Sequence, residues 1–367
     1  MQLNIGIDDT DSTEGGCTTH IAARLVEKLA AAGLRFTDYP NIIRLNPNIA
    51  YKTRGNAAVA LRLDVPRDAY DAVRETVLDE IERNSQLGKE STDPAVVFLK
   101  GKPSSIVRRF SSLALWDVLN ANEALKIARA SKAEAVVYGS EFGLVGALAA
   151  VGQTLTGDHT FELVAYRRRS NWGKPRLVDE DSVIAMSQKT APQTFNNYDF
   201  DNKRVLITPH GPDPVLLGIR GEAPQVVRRA FQMLLIREPV ERWVIFRTNH
   251  GTDAHLQSKE VFGMRKPNRP TVLTGTVHDK PWRIRGGHVF FTLLNNAREI
   301  RCAAFEPTGY LRHVIADLAP GDQVTVFGAV QPLKTSQPVT VNLEKIRIGP
   351  LGDTLTGTDQ RIYMAFS

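Results

Sequence analysis

The order in which apolar patterns follow one another is the feature that most restricts the fold of this chain. The alternating run LNIGI comes first. A helical pattern over about residues 18–32 follows, then the β-like runs YPNIIRL and AAVALRLDV, a second helical pattern over 68–83, and the run AVVFLKG. This order, βαββαβ, is that of a ferredoxin-like unit. With a further helical stretch over 104–131, it predicts a first domain over residues 1–134.

The same order recurs in the next part of the chain. The runs EAVVYG, TFELVAYRR, VLLGIRG and RWVIFRT are β-like, whereas GLVGALAAVG and the stretch from about 222 to 237 are helical. A long polar excursion over 167–203 interrupts the pattern. We therefore expect a second ferredoxin-like domain over residues 135–260.

The sequence pattern changes near residue 269, which indicates a third domain. Five short β-like runs, TVLTGTV, HVFFTLLN, EIRCAAFE, QVTVFGAVQ and VTVNLEKIRI, follow one another, and the helical GYLRHVIADL lies between the third and the fourth. This is the element order of an OB-fold, a barrel that commonly binds single-stranded nucleic acid, although another small barrel remains an alternative. The predicted class is thus α+β and multidomain: two ferredoxin-like βαββαβ lobes, an OB-fold barrel over 268–350 and a tail over 351–367.

Composition restricts the location and the partners of the chain. It has 367 residues, 42% of them hydrophobic, with neither an apolar run of membrane-spanning length nor an N-terminal signal sequence. Two cysteines, Cys17 and Cys302, predict no disulfide framework and no zinc knuckle. The formal net charge of +6, with its clustered arginines and lysines, favours a polyanionic partner such as RNA. We expect a cytoplasmic protein that binds no membrane.

The segment GIDDTDSTEGGCTTH joins a strand to a helix and is strongly acidic at the joint. Mg²⁺ prefers carboxylate oxygens and usually binds through one or two of them together with substrate phosphates. Glycines and the first turn of a helix let phosphates approach exposed N–H groups. The segment therefore predicts a magnesium and phosphate site, with the metal ligands Asp8, Asp9 and Asp11 and the phosphate-binding residues Gly15, Gly16, Thr18 and Thr19. An Asx-turn followed by a threonine helix cap is the structural alternative.

Four other segments carry groups suited to binding. KTRGN, with Lys52 and Arg54, can bind phosphate, or it is an ordinary basic loop. GSEFGLVGALAAVG resembles a glycine-rich phosphate loop, but its spacing fits no known fingerprint, and close helix packing explains it equally well. In PHGPDPVLLGIRGE, Asp213 lies between two prolines, where it binds a cationic substrate or faces solvent. FRTNHGTDAHL either docks domains or contacts a nucleotide.

Taken in order, IGIDDTDS, GGCTTH, KTRGNAAV, FGLVGALAAVG, HGPDPVLLGIRGE and FRTNHGTDAHL resemble the archaeal isoleucine-tRNA 2-agmatinylcytidine synthetases over nearly the whole chain. The resemblance implies an enzyme that uses ATP and Mg²⁺ to phosphorylate the wobble cytidine of an isoleucine tRNA, after which agmatine displaces the phosphate. It also implies that the first lobe is a kinase-like domain for ATP and magnesium and that the barrel binds RNA.

The same resemblance implies roles for three groups of residues. The catalytic and metal-binding group would be Asp8, Asp9, Asp11 and Thr18, with Thr18 the threonine that can itself become phosphorylated. The ATP-binding group would be Gly15, Gly16, Thr18, Thr19, Lys52 and Arg54. The group that binds agmatine, a dication, would be Asp213, Gly143 and Gly146.

One part of the resemblance is missing. The family usually ends in a zinc ribbon with paired CxxC sequences, whereas no cysteine follows Cys302. Either the chain is a fragment of a longer protein, or it is a relative without the ribbon whose RNA substrate can differ. Two other classes of function stay open: a non-catalytic OB-fold RNA-binding protein, and an ATP-dependent kinase or ligase that acts on a small molecule.

Overall fold

The computed structural model describes residues 1–49, 52, 55–90, 92–256, 269–305, 308–331 and 340–349, together with the backbone of 354–356. Its helices are α1 (Thr18–Ala31), α2 (Tyr70–Asn84), α3 (Ser105–Ala114), α4 (Ala121–Ala130), α5 (Phe142–Gly152), α6 (Glu180–Thr190), α7 (Pro224–Gln232) and α8 (Leu311–Ala316). Within the described ranges, no helix combines the length and the apolarity that crossing a membrane requires.

The strands fall into two sets. Those up to residue 248 are β1 (Gln2–Asp8), β2 (Arg35–Phe36), β3 (Asn41–Arg44), β4 (Ala57–Asp64), β5 (Ala95–Lys100), β6 (Glu134–Val137), β7 (Thr160–Arg167), β8 (Thr194–Phe195), β9 (Tyr198–Asp199), β10 (Arg204–Val205), β11 (Val215–Gly221) and β12 (Val240–Thr248). Those that follow are β13 (Pro270–Val277), β14 (Trp282–Arg283), β15 (Val289–Asn295), β16 (Arg298–Ala304), β17 (Gln323–Val330), β18 (Thr340–Ile348) and β19 (Thr354–Thr356).

The first βαββαβ unit forms as its sequence predicts. Its main strands pair antiparallel in the order β5-β1-β4-β3. Because side chains alternate along a strand, one apolar set faces α1 and α2 and the other faces α3, α4 and α5. The helical stretch expected over 104–131 is two helices, since Asn120 caps a new one by accepting the N–H of Glu123 at 2.8 Å.

The second unit is assembled differently from the first. β12, β7, β11 and β8 pair in that order, and α6 and α7 cover one face of them. The run EAVVYG, expected to open this unit, forms β6 and pairs with β5 instead. The helix that follows, α5, packs on the first unit because small residues let the two backbones meet: a Cβ added at Gly6 would lie 2.0 Å from the carbonyl oxygen of Ala147.

The two units share one ten-stranded sheet among the described residues, because β3 and β12 pair in parallel. The ladder is short and ends with Thr248 opposite Ile42. Beyond this ladder, the side chain of Asn249 continues the hydrogen bonding to the backbone of β3. Its Oδ1 accepts the N–H of Arg44 at 2.7 Å, and its Nδ2 donates to the carbonyl oxygen of Arg44 at 3.0 Å.

A buried arginine fixes the C-terminal end of α5. Arg62 on β4 donates hydrogen bonds to the carbonyl oxygens of Ala150, Val151 and Gln153, at 3.2, 3.2 and 2.6 Å. The last carbonyls of a helix have no partner within it, and a cation at that end also suits the helix dipole. Arg62 therefore sets where α5 lies along β1.

The C-terminal domain is a closed barrel in which β13, β17, β18, β16 and β15 pair in a ring. α8 lies between β16 and β17, as expected for an OB-fold, and inward residues such as Val289, Phe291 and Leu293 form the core. The predicted α+β, multidomain class with an OB barrel is confirmed. The tail predicted over 351–367 lies outside the described residues, except for the backbone of β19, which pairs with β18.

We expect Asn249→Ala to lower the free energy of unfolding by about 1–3 kcal/mol, because it leaves two backbone groups of Arg44 without their partner. Urea unfolding followed by circular dichroism measures the change. Asn122→Ala is the control: this side chain is exposed, so its loss should cost less than ~0.5 kcal/mol. Equal effects of the two substitutions would show that the joint between the units does not depend on Asn249.

Candidate functional site

A cavity of about 380 Å³ opens at the carboxyl end of β1. Its walls are chemically unlike. One wall carries carboxylates, those of Asp8, Asp9, Asp11, Asp93 and Asp117. The other is apolar and is formed by Leu45, Ile49, Ala114, Leu119, Phe142 and Val145. A cavity of this kind offers cation-binding oxygens beside a surface that suits a flat, uncharged ring.

The acidic wall is held by hydrogen bonds between the ends of neighbouring segments. Asp8 is the last residue of β1, and Asp9 turns the chain with a positive φ of 58°. The Oδ2 of Asp9 accepts the N–H of Asp93 at 3.1 Å, and the Oδ1 of Asp93 accepts the N–H of Ser140 at 2.7 Å. The end of β1, the approach to β5 and the turn before α5 are thereby tied together.

Two glycines let α5 lie against this strand end. A Cβ added at Gly146 would lie 1.8 Å from the Oδ2 of Asp8, and one at Gly143 would lie 2.4 Å from the carbonyl oxygen of Asp93. Of the two explanations offered for GSEFGLVGALAAVG, the structure therefore supports close packing of the helix. Gly146 also lines the cavity. The assignment of both glycines to agmatine stays a prediction.

Asp8 and Asp9 lie in a buried environment with other carboxylates close by. Burial, followed by the neighbouring Asp9 and Asp11, raises the pKa of Asp8 well above its usual range. Burial, followed by Asp11 and Asp93, raises the pKa of Asp9 to about 6, against a lowering by the N–H of Asp93. A bound cation would favour the ionised carboxylates and reverse these shifts.

The donor set fits a cation that arrives with its own ligands. Among the residues that the structure describes, no group of three or more His, Cys, Asp or Glu side chains is arranged to hold a metal ion. Mg²⁺ in nucleotide sites uses one or two carboxylates, phosphate oxygens and waters. Asp8 and Asp9, both on the wall of the cavity, match in number the carboxylates that such a set takes from a protein.

The residues predicted to bind ATP are separated in the structure. Lys52 lines the cavity, whereas Gly15, Gly16, Thr18 and Thr19 are not among the described residues of its wall, and Arg54 lies outside the described residues. Thr18 is buried at the start of α1, where its Oγ1 accepts the hydroxyl of Thr10 at 3.0 Å. α1 and α5 cover opposite faces of β1, which explains why one acidic loop borders two environments.

Asp213 lies near the same acidic loop. The carbonyl oxygen of Pro212 is 3.9 Å from the position that a Cβ on Gly15 would take. Burial is the main cause that raises the pKa of Cys17, and the carboxylates of Asp11 and Asp213 raise it further. The buried Oδ1 of Asp213 accepts from the Nη2 of Arg176 at 3.3 Å and from the N–H of Val215 at 3.0 Å. The guanidinium group of Arg176 therefore already contacts the carboxylate that is predicted to bind agmatine.

A second group of charges, which the sequence did not reveal, lies where the two units join. The buried Glu162 is 3.5 Å from the Nη2 of Arg44, 3.3 Å from the Nε of Arg220 and 3.7 Å from the Nδ1 of His250. Burial opposes ionisation, but Arg220, His250 and Arg44 hold the pKa of Glu162 well below its usual range. Burial, then Arg220 and Arg44, lowers the pKa of His250 to about 4, so that this ring is neutral at pH 7.

FRTNHGTDAHL docks the domains, which is one of the two roles predicted for it; a nucleotide contact stays a prediction. Beyond Asn249 and His250, Asp253 forms an ion pair with Lys345 on the barrel, and the Nε2 of His255 lies 2.7 Å from Glu344. These contacts bring β18 of the barrel against the joint between the two units.

The docked barrel also reaches the cavity itself. Arg269, just before β13, donates to the Oδ2 of Asp117 at 2.6 Å, and Asp117 is part of the cavity wall. Desolvation lowers the pKa of Lys52, while Glu344 on the barrel acts to raise it. The barrel therefore stands at the rim of the acidic cavity.

Four residues of the two charged groups were not predicted from the sequence: Asp93, Asp117, Arg44 and Glu162. A signal existed for Asp93: it lies two residues before a strand that pairs antiparallel with β1, so its position beside the end of β1 follows once that pairing is assumed. The others depend on contacts between distant segments, for which the local sequence carries no signal.

Fold and site together define a two-unit α+β protein in which an OB barrel is docked beside an acidic, partly apolar cavity. The chain matches the family models described as TiaS TCKD domain over residues 4–140, TiaS FLD domain over 141–255 and OB-fold nucleic acid binding domain over 271–348. The isoleucine-tRNA 2-agmatinylcytidine synthetase TiaS of Pyrococcus horikoshii is 43% identical over 345 residues, 94% of this chain and 80% of that protein. The chain belongs to the TiaS family.

Solved structures agree with this assignment. The crystal structure of TiaS in complex with an isoleucine tRNA and ATP is similar with a TM-score of 0.87 and 40% identity, covering 95% of this chain and 81% of that one. The ZRD-deleted mutant of TiaS in complex with agmatine has a TM-score of 0.83 and 33% identity, covering 99% of this chain and 95% of that one. The likeness thus extends over all three domains.

We expect Asp9→Asn to stabilise the metal-free protein at pH 7 and to have little effect near pH 4. The pKa of Asp9 is raised on folding from 3.8 to about 6, so the stability that its protonation contributes is fully present below the lower value and is lost as the pH rises through the higher one. Urea unfolding at several pH values measures this, with the exposed Asp201→Asn as control. A stabilisation independent of pH would contradict the assignment.

We expect the charge reversal Arg269→Glu to undock the barrel and the double variant Asp117→Arg/Arg269→Glu to dock it again, because the pair regains opposite charges. Small-angle scattering would show a larger radius of gyration for the single variant. Lys280→Glu, an exposed reversal on the same domain, is the control and should change nothing. If the double variant stays as expanded as the single one, this ion pair does not hold the barrel.

Proposed function

We propose that this chain is an isoleucine-tRNA 2-agmatinylcytidine synthetase, an ATP-dependent ligase that joins agmatine to the wobble cytidine of that tRNA. The observation that carries the proposal is the acidic, partly apolar cavity with an OB barrel at its rim, in a chain similar over 95% of its length to TiaS in complex with an isoleucine tRNA and ATP. A tRNA substrate also fits the cytoplasmic location that we propose.

The residues of the cavity have distinct tasks in this proposal. Asp8 and Asp9 would hold Mg²⁺ together with phosphate oxygens of ATP, and the ion would neutralise phosphate charge during transfer. Lys52 lines the same cavity, and its ammonium group, which donates to the carbonyl oxygen of Pro47, adds a positive charge for the phosphates. The apolar wall, which includes Leu45 and Val145, packs against a base and keeps water from it.

The reaction that the family resemblance implies has two steps. A phosphoryl group first passes from ATP to an oxygen of the cytidine base. The amine of agmatine then attacks the carbon that bears this oxygen, so that a C–N bond forms, the C–O bond breaks and phosphate leaves. The cavity serves the first step by positioning and charge, the main contributions a protein makes to phosphoryl transfer.

Thr18 and Asp213 keep their implied roles as part of this proposal. The hydroxyl of Thr18 is engaged by Thr10, and Asp213 is engaged by Arg176. Phosphorylation of Thr18 would thus take place at an oxygen that accepts a hydrogen bond from Thr10. To bind agmatine, Asp213 must release the guanidinium group of Arg176 or contact it and the guanidinium group of agmatine together.

Transfer of labelled agmatine tests the function. The chain is mixed with ATP, Mg²⁺, labelled agmatine and a transcript of the isoleucine tRNA that carries the wobble cytidine, and label should enter the tRNA only when ATP and Mg²⁺ are present. Consumption of ATP without labelled tRNA would favour a ligase acting on a small molecule. Binding of tRNA without consumption of ATP would favour a non-catalytic RNA-binding protein.

In that assay we expect Gly146→Ala to lower the rate of agmatine transfer about 100-fold, because the new methyl group displaces the carboxylate of Asp8. Gly157→Ala is the matched control, since nothing lies within 4 Å of its added Cβ. Circular dichroism checks that both variants fold. Wild-type activity in folded Gly146→Ala would remove Asp8 from the reaction.

A further inference from the structure

One carboxylate of the cavity wall is neutralised by a residue of the barrel. The Nη2 of Arg269 lies 2.5 and 2.6 Å from the two carboxylate oxygens of Asp117. Both side chains are largely shielded from water, with exposed fractions of 19% and 13%. The guanidinium group also lies 5.7 Å from the centre of the Trp116 ring. Because salt screens a partly buried pair only weakly, Arg269 changes the charge that the cavity presents to a ligand.

The two partners of this ion pair are held by different domains. On the side of the first unit, the Nδ2 of Asn46 donates to the carbonyl oxygens of Trp116 and Asp117, at 3.3 Å each. On the side of the barrel, the carbonyl oxygen of Arg269 accepts the N–H of Val330 on β17 at 3.1 Å. Asp117 therefore stays on the cavity wall wherever the barrel lies, whereas Arg269 moves with the barrel.

The cavity has little positive charge to offer a polyanion. Five carboxylates line it, and among the described residues of its wall Lys52 is the only cationic one. In the proposed function, Mg²⁺ balances the charges of Asp8 and Asp9. Asp117 is balanced by Arg269 instead. Without that partner, its carboxylate would repel the phosphates of a nucleotide in the same cavity, because like charges in a poorly hydrated space interact strongly.

We propose that Arg269 is a positioning residue for ATP: by neutralising Asp117, the docked barrel raises the affinity of the cavity for the nucleotide. Coupling between two binding events is reciprocal, so bound ATP also favours the docked position of the barrel. The inference rests on the proposed function for ATP as the ligand. It adds that the position of the barrel sets the ATP affinity of the cavity.

Calorimetric titration of the full chain with a non-hydrolysable ATP analogue and Mg²⁺, in the absence of RNA, tests the proposal. Arg269→Ala should weaken binding about tenfold, within the roughly 5- to 150-fold range that is usual for coupled sites. Arg269→Lys keeps the positive charge and should retain most of the affinity. Lys280→Ala, which removes an exposed cation from the same domain, is the control and should bind as wild type does.

A double variant separates the charge of Asp117 from the docking of the barrel. Arg269→Ala/Asp117→Asn lacks the ion pair, but it also lacks the carboxylate that Arg269→Ala leaves without its partner. It should therefore regain most of the affinity that Arg269→Ala loses. If Arg269 served only to hold the barrel, the double variant would bind as weakly as the single one.

A contact away from the cavity tests the link to docking. Lys345 pairs with Asp253 and is not among the described residues of the cavity wall. Lys345→Ala should increase the radius of gyration in small-angle scattering and weaken binding of the analogue. Saturating analogue should return the radius towards the wild-type value. Adding Asp117→Asn to this variant should abolish that return, because the charge that couples the two events is gone.

Four outcomes decide against the proposal. If the wild-type chain binds the analogue and Arg269→Ala binds it equally well, Arg269 has no part in ATP binding, although the proposed function stands. If Arg269→Ala/Asp117→Asn regains no affinity, the effect of Arg269 is structural. If Lys345→Ala expands without losing affinity, docking and ATP binding are not coupled. If the wild-type chain binds no analogue, the proposed function is wrong, and this inference is wrong with it.

Discussion

The parallel pairing of β3 with β12 is the interaction on which the rest of the structure depends. It turns two sheets into one, and Asn249 extends it by bonding both backbone groups of Arg44. The segment that makes this joint continues directly into Asp253 and His255, which hold the barrel. One short stretch after β12 thus positions the second unit and, together with the Arg269–Asp117 ion pair, the OB domain relative to the acidic end of β1.

Much of this fold could be predicted from local patterns, because each strand and helix of the first unit carries its own periodicity. The limit is visible at β6 and α5, which continue the chain towards the second unit but pack on the first. The periodicity of EAVVYG indicates a strand and does not say which edge it joins. What decides the matter is the close approach of α5 to Gly6, a contact between segments about 140 positions apart in the sequence.

The residues of the candidate site likewise fall into those that the sequence predicts and those that it does not. Asp8 and Asp9 were found because their charges are adjacent in the sequence and stand at a strand end. Asp117 and Glu162 could not be predicted, because their partners lie in distant segments. Asp117 pairs with Arg269 of the barrel, and Glu162 pairs with arginines of both units. Of the two explanations that the sequence left open for the glycines of α5, the contacts support close helix packing. They resemble a phosphate loop, whereas the structure uses them to bring a helix within reach of Asp8.

The carboxylates of the acidic cavity lower the stability of the folded protein. Burial and mutual repulsion raise the pKa values of Asp8 and Asp9, so the cavity by itself disfavours the ionised carboxylates that a cation requires. The surrounding contacts offset this: Arg62 holds α5 in place from one end, and Gly146 lets it cover Asp8 from the other. Under the proposed function, a bound cation would remove this cost, so that binding of the cation and folding would be coupled.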